Sequence, residues 1–203
     1  MVKVSEVTNL SDARYCAGMG VEMISFVLDE NHPKFLQMEK ILEITNWVSG
    51  IKVVGEFSGT SVKNINYLAE QLNLDLVQLD AASFHEEKPE KIKLPVILKI
   101  PFETLEVLHK IQKAEHNSSD IAYLQLVLES KEQLYQNLSQ LKEVVHQSPT
   151  ILDIPSISKE DILEIIDILH PAGINLQGGS EDKPGMRDFS DLSELLEMLE
   201  EDN

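Results

Sequence analysis

Cysteine is nearly missing from this chain: Cys16 is the only one among 203 residues. An intrachain disulfide and a multi-cysteine metal site are thereby excluded. Positive charge is scarce too. Lys plus Arg number 17 against 35 Asp plus Glu, a formal net charge of −18. A nucleic-acid partner calls for clustered Lys and Arg, and an anionic membrane surface would repel so acidic a chain. No stretch nears the roughly 18 consecutive apolar residues of a membrane span. Residues 1–10 lack the apolar centre of a signal peptide, so a cytoplasmic protein is expected. No Gly-x-Gly-x-x-Gly follows the first apolar run, and neither His-x-His nor His-Glu-x-x-His spacing occurs. No metal site is expected.

Hydrophobic residues make up 42% and charged residues 26%, an ordinary globular balance. Short apolar runs alternate with helical patterns. The runs lie at 2–7, 23–28, 51–57, 74–79, 96–100, 121–128, 150–154 and 173–176. Helical periodicity follows at 10–19, 38–48, 61–72, 103–114, 131–146, 159–169 and 191–200, with a polar, poorly helical stretch after the fourth run. Asn9 or Ser11 is suited to cap the first helix. Strands alternating with helices imply crossover connections and a parallel sheet. Runs such as Ile121–Leu128 are almost continuously apolar, as strands covered on both faces require. Eight units in about 200 residues predict an α/β fold, a single (β/α)8 barrel occupying residues 1–203 as one domain.

In such a barrel, chemistry gathers at the carboxyl ends of the strands. The residues closing the runs are Ser5 and Glu6, Asp29, Glu56, Asp80, Lys99, Glu129 and Asp153, then Gly178, Gly179, Ser180 and Glu181. Two readings compete for these carboxylates. They are turn residues facing water, or they converge on one pocket where crowding raises some of their pKa values. The Gly178-Gly179 turn is suited to aim backbone N–H groups at an anion.

The residues also carry a resemblance. Lys3-Val-Ser-Glu-Val-Thr-Asn-Leu-Ser-Asp-Ala13 resembles the first strand and helix start of phosphoribosylanthranilate isomerases, K-[IV]-C-G-[IL]-T then N-L-x-D-A. Phe26–Phe35 resembles that family's second loop with its S-P-R core. Val53-Val-Gly55 and Leu74–Leu79 resemble V-G-V-F and L-D-x-V-Q-L-H-G. The tail Gly173–Asp188 resembles G-V-D-V-S-S-G-V-E-x-x-P-G-x-K-D. The resemblance implies an Amadori rearrangement of N-(5-phosphoribosyl)anthranilate in tryptophan biosynthesis, without a cofactor. It places the catalytic pair at Ser5 and Glu129. Lys34 stands where an arginine grips the anthranilate carboxylate, and Asp80 where the family has histidine. Gly178, Gly179 and Ser180 would hold the phosphate.

Several of these positions depart from the family pattern. Ser5 replaces the family's basic cysteine, Glu6 its neighbouring glycine, and Glu129 its acidic aspartate. Ile154-Pro155 follows Asp153 where the pattern has glycines. Pro155 has no N–H to offer, so phosphate binding no tighter than millimolar is expected. Glu6, Glu56, Asp80 and Asp153 are expected to repel an anionic substrate. The sequence thus leaves three outcomes open: a divergent isomerase binding a small phosphosugar, a catalytically silent binding or scaffold relative, or an enzyme of changed substrate using the acidic mouth. A homodimer is kept open as its assembly.

Overall fold

The computed structural model describes residues 1–83, 91–104, 121–154, 158–177, 181–183, 186–187 and 197. Eight strands run in sequence: β1 (Val2–Ser5), β2 (Met23–Val27), β3 (Lys52–Phe57), β4 (Leu76–Asp80), β5 (Val96–Pro101), β6 (Ile121–Val127), β7 (Thr150–Asp153) and β8 (Gly173–Gln177). Each pairs in parallel with its sequence neighbour, and β1 pairs with β8, so the sheet closes into a barrel. This is the expected (β/α)8 architecture. The helices between strands are α1 (Leu10–Gly18), α2 (Met38–Thr45), α3 (Val62–Gln71), α4 (Lys131–Gln136), α5 (Leu138–Gln147) and α6 (Lys159–Leu169). Among the described residues no helix is long and apolar enough to cross a membrane.

Helix starts follow the side-chain chemistry. Asn9 caps α1 by accepting from the Asp12 N–H, and Ser61, Ser130 and Ser158 do the same for α3, α4 and α6. The single helix expected over 131–146 is instead two. Asn137 separates them, with its Nδ2 donating to the Gln133 carbonyl at 2.8 Å and its backbone outside the helical region. A side-chain amide competing for a helical carbonyl accounts for the break. The helix expected from Glu103 begins as a 3-10 turn, Phe102–Thr104; residues 105–120 lie outside the described residues. So does nearly all of the helix expected over 191–200. A small antiparallel pair, β9 (Glu181–Lys183) with β10 (Met186–Arg187), follows β8.

Side chains alternate in direction along each strand. Outward residues such as Val4, Ile24, Phe26, Leu98, Leu126 and Leu152 pack under the helices. Inward residues near the amino ends, Met23, Val54, Leu76, Ile97 and Ile151, form an apolar floor. Above that floor the inward positions turn polar on every strand, which is where the site begins.

Candidate active site

One inward polar residue per strand stacks above the floor: Lys3, Ser25, Glu56, Gln78, Lys99, Gln125, Asp153 and Asn175 on β1 to β8 in turn. Odd strands carry charges that alternate in sign around the barrel, and even strands carry a hydroxyl or an amide. The groups are wired to one another. Glu56 accepts from the Ser25 hydroxyl and from Gln78 Nε2 at 3.0 Å. Asp153 accepts from Gln125 Nε2 at 2.7 Å. Lys3, fully buried, donates from Nζ to Asn175 Oδ1 at 3.0 Å. Burial pushes the Lys3 ammonium pKa down, while Glu56 and Asp153 pull it up.

All eight strands are parallel, so Ser5, Glu6, Asp80, Glu129 and Asp153 lie toward the same end of the barrel. Ser5 is buried. Its hydroxyl donates to the Leu176 carbonyl at 3.2 Å, and its oxygen accepts from Asn175 Nδ2 at 3.1 Å. Neither partner is a base, so among the described residues nothing activates the serine as a nucleophile or base.

Glu6 follows β1 with φ 59°, in the left-handed region. Its carboxylate meets the ammonium of Lys34 at 2.8 Å. Burial raises the Glu6 pKa, but the hydrogen bond and charge of Lys34 outweigh it, and the carboxyl ends below its ordinary 4.5. The expected upward shift from crowding is therefore overturned at Glu6, because a cation reaches it first. Lys34, which the sequence places to grip a ligand carboxylate, is held by this internal one.

Asp80 closes β4 in register with Lys99 on β5, and no ion pair joins them. Glu129 is exposed, two residues past β6. Its backbone N–H donates to Gln133 Oε1 at 2.7 Å, which fixes the turn into α4. Gly178, Gly179, Ser180 and Pro155 lie outside the described residues. Among the described residues no three His, Cys, Asp or Glu side chains form a group that could hold a metal.

Sequence reading missed Lys3 and the donors of the inner layer. A lysine between two valines reads as an edge residue, and the signal for it lay in the period of two. Inward positions of the strands are apolar at the amino end and polar two residues later: Met23 then Ser25, Val54 then Glu56, Leu76 then Gln78, Ile97 then Lys99, Ile151 then Asp153.

Comparison with known proteins agrees with this architecture. The family model for N-(5'-phosphoribosyl)anthranilate isomerase matches residues 2–198. The isomerase of Aquifex aeolicus is 25% identical over 203 residues, covering 96% of each chain. That of Trichormus variabilis is 27% identical over 214 residues, covering 98% of this chain and 97% of the relative. Among solved structures, monomers generated from the dimeric isomerase of Thermotoga maritima superpose with a TM-score of 0.75 at 18% identity, covering 98% of both chains. The Thermus thermophilus isomerase gives 0.72 at 20% identity, covering 100% of this chain and 99% of that one. The chain belongs to the N-(5'-phosphoribosyl)anthranilate isomerase family.

Proposed function

We propose that this chain catalyses the aldose–ketose rearrangement of N-(5'-phosphoribosyl)anthranilate, an intramolecular step of tryptophan biosynthesis. The observation that carries the reading is the match of the family model to residues 2–198, on a closed barrel whose polar layer opens at the carboxyl end. The reaction opens the ribose ring and moves a proton from C2' toward C1'. Electrons stay within the substrate, so an acid and a base suffice.

Glu129 is the proposed acid, donating to the ring oxygen as the C–O bond breaks. Ser5 holds the place of the family's cysteine, but its hydrogen bonds to Asn175 and Leu176 make it a positioning group beside the sugar. The adjacent Glu6 is the proposed base for the C2' proton. Glu6 is ionised at neutral pH, and its ion pair with Lys34, which draws its pKa down, makes it a weaker base than an unpaired carboxylate. Gly178, Gly179 and Ser180 are proposed for the phosphate, and Asp80 for substrate contacts at the β4 end. The dimeric state of the Thermotoga relative supports proposing a homodimer. The test is complementation of a tryptophan auxotroph lacking this isomerase. Growth without tryptophan is expected from this gene and is lost with Glu129→Ala. Absence of growth despite folded protein in the cells overturns the reading and leaves a silent relative.

A further inference from the structure

Position 175 is aspartate in the family pattern and asparagine here, just as position 5 is serine where the pattern has cysteine. The two substituted side chains touch. Asn175 Nδ2 donates to Ser5 Oγ at 3.1 Å. On its other side, Asn175 Oδ1 accepts from Lys3 Nζ at 3.0 Å. All three residues are buried, and Lys3 and Asn175 stand in register on β1 and β8.

The chemistry of the groups gives this chain a direction. An ammonium has hydrogens to offer and no lone pair. It therefore holds the oxygen of the Asn175 amide and turns the Nδ2 hydrogens toward Ser5. The Ser5 oxygen is an acceptor on that side, so its own hydrogen must point elsewhere. It points to the Leu176 carbonyl, at 3.2 Å. Hydroxyl hydrogen bonds are usually about 2.5–3.0 Å long, so this hydrogen is loosely held. Lys3, Asn175 and Ser5 thus donate in series, and each donor polarises the next. An aspartate at 175 would do the opposite. Ionised, it can only accept, and it would draw the Ser5 hydrogen down toward Lys3 and away from the mouth.

We propose that Lys3 and Asn175 are positioning residues which hold the Ser5 hydroxyl as a donor toward the mouth, where it hydrogen-bonds the oxygen on C2' as that oxygen becomes a ketone. The choice of ligand rests on the functional reading above. Ser5 adjoins Glu6, the proposed base for the C2' proton, so the oxygen on the same carbon is the acceptor closest to hand. From the open-chain imine, the C2' proton ends on C1' and the hydroxyl proton on the nitrogen. The C2' oxygen therefore finishes as a carbonyl that can only accept, and a donor at Ser5 matches it through that change. Ser5 keeps its proton and forms no bond to the substrate.

The test compares two ligands of equal charge on the intact protein, by calorimetry or ligand-observed NMR. They are the ketose product and the alcohol obtained by reducing its ketone. Asn175→Asp takes the Ser5 hydrogen and leaves only lone pairs to face the ligand. The ketone then has no donor, whereas the alcohol can turn its own hydrogen to Ser5. This variant is expected to weaken the ketone about tenfold or more and the alcohol less than about threefold. Its added charge acts on both ligands alike and cancels in the ratio. Lys3→Met lets the amide reverse and is expected to move the ratio in the same direction. Ser5→Ala is expected to weaken both ligands alike, as would any change that acted through packing alone. Circular dichroism checks folding, and should Asn175→Asp not fold, Lys3→Met carries the test. An unchanged ratio in the folded variants overturns the proposal, and so does an alcohol that weakens more than the ketone. Isomerase turnover on the same preparations separates the two readings. Turnover with an unmoved ratio overturns this inference alone, and the expected ratio without turnover overturns the proposed function alone. A wild type that binds neither ligand overturns both.

Discussion

Asn175 hydrogen-bonds Ser5 across the seam that closes the barrel, its Nδ2 donating to Ser5 Oγ at 3.1 Å. The other end of the same amide accepts from Lys3 at 3.0 Å. One side chain therefore joins a buried ammonium to the hydroxyl standing where the family has its cysteine. Asn175→Leu leaves the ammonium without its hydrogen-bond acceptor among the described residues and the hydroxyl without its donor. A bond to a charged group contributes about 1.5–3 kcal/mol. Unfolding in urea is expected to show a loss of that size with little change in slope. A loss under about 0.5 kcal/mol would mean that Lys3 finds another acceptor at no cost.

Glu6 trades backbone strain for an ion pair. A non-glycine residue in the left-handed region costs on the order of 1–2 kcal/mol, and a partly exposed ion pair returns about 0.2–1 kcal/mol. Glu6→Gly removes both terms, whereas Glu6→Ala removes the pair and keeps the strain. The glycine variant is expected to be more stable than the alanine variant by about 1 kcal/mol. Equal melting temperatures would show that the turn relaxes around alanine.

The same pair has a pH signature. The folded-state pKa of Glu6 lies below its ordinary 4.5. Below that ordinary value the unfolded chain takes up the proton first, so stability falls with pH until the folded carboxyl is protonated as well. The pair therefore contributes fully above pH 4.5 and is lost as the pH drops through the lower, folded value. The stability difference between wild type and Glu6→Gln is expected to be constant near neutrality and to shrink in acid. A difference that instead grows in acid would put the pKa shift on the wrong side.

Much of the barrel was legible because strands covered on both faces need long apolar runs, and helices need a stripe. Leu124, Leu126 and Leu128 announce β6 in this way, and Val62, Ile65 and Ala69 announce α3. The break at Asn137 was not legible. Helical apolar spacing continues through it, and only the amide's bond to the Gln133 carbonyl interrupts it. The β9–β10 pair had a signal in Pro184-Gly185, a turn dipeptide in an otherwise polar tail. The site was half legible. Strand ends gave carboxylates that the structure gathers toward one end of the barrel, but a list of acids hides their partners. Lys34 lies 28 positions from Glu6, and Gln125 the same distance from Asp153, so only closure of the barrel pairs them.

Close approach of β8 to the amino terminus gives a test of the floor beneath the site. A methyl group on Gly173 would lie 2.6 Å from the Met1 carbonyl oxygen, a backbone atom. One on Gly55 would meet only side-chain atoms, Leu74 Cδ1 at 2.5 Å and Leu28 Cδ1 and Phe57 Cε2 at 2.9 Å. Side chains can turn aside more cheaply than a paired strand can shift. Gly173→Ala is therefore expected to cost the upper part of the roughly 1–3 kcal/mol range for overpacking, and Gly55→Ala the lower part. The reverse order in thermal unfolding would show that β3 is the stiffer strand.

Glu129 carries the heaviest chemical expectation. Its backbone is fixed by Gln133, and its side chain is exposed at the mouth, free to approach a bound sugar. A positioned proton donor contributes typically about 10²–10⁴-fold to rate. Glu129→Ala is expected to lower kcat within that range while the circular dichroism spectrum stays unchanged. Glu129→Asp keeps the acid but draws it back by one methylene, and a displacement near 1 Å can cost about 10²-fold. Aspartate is also the residue the family pattern has in place of Glu129, so an outcome at or above wild type would mean that the pocket still expects the shorter side chain. An aspartate variant as slow as the alanine variant would mean that reach matters as much as acidity. Unchanged turnover in the alanine variant would remove Glu129 from the mechanism and leave the acid to Asp80 or Asp153, the other carboxylates that end strands at this mouth.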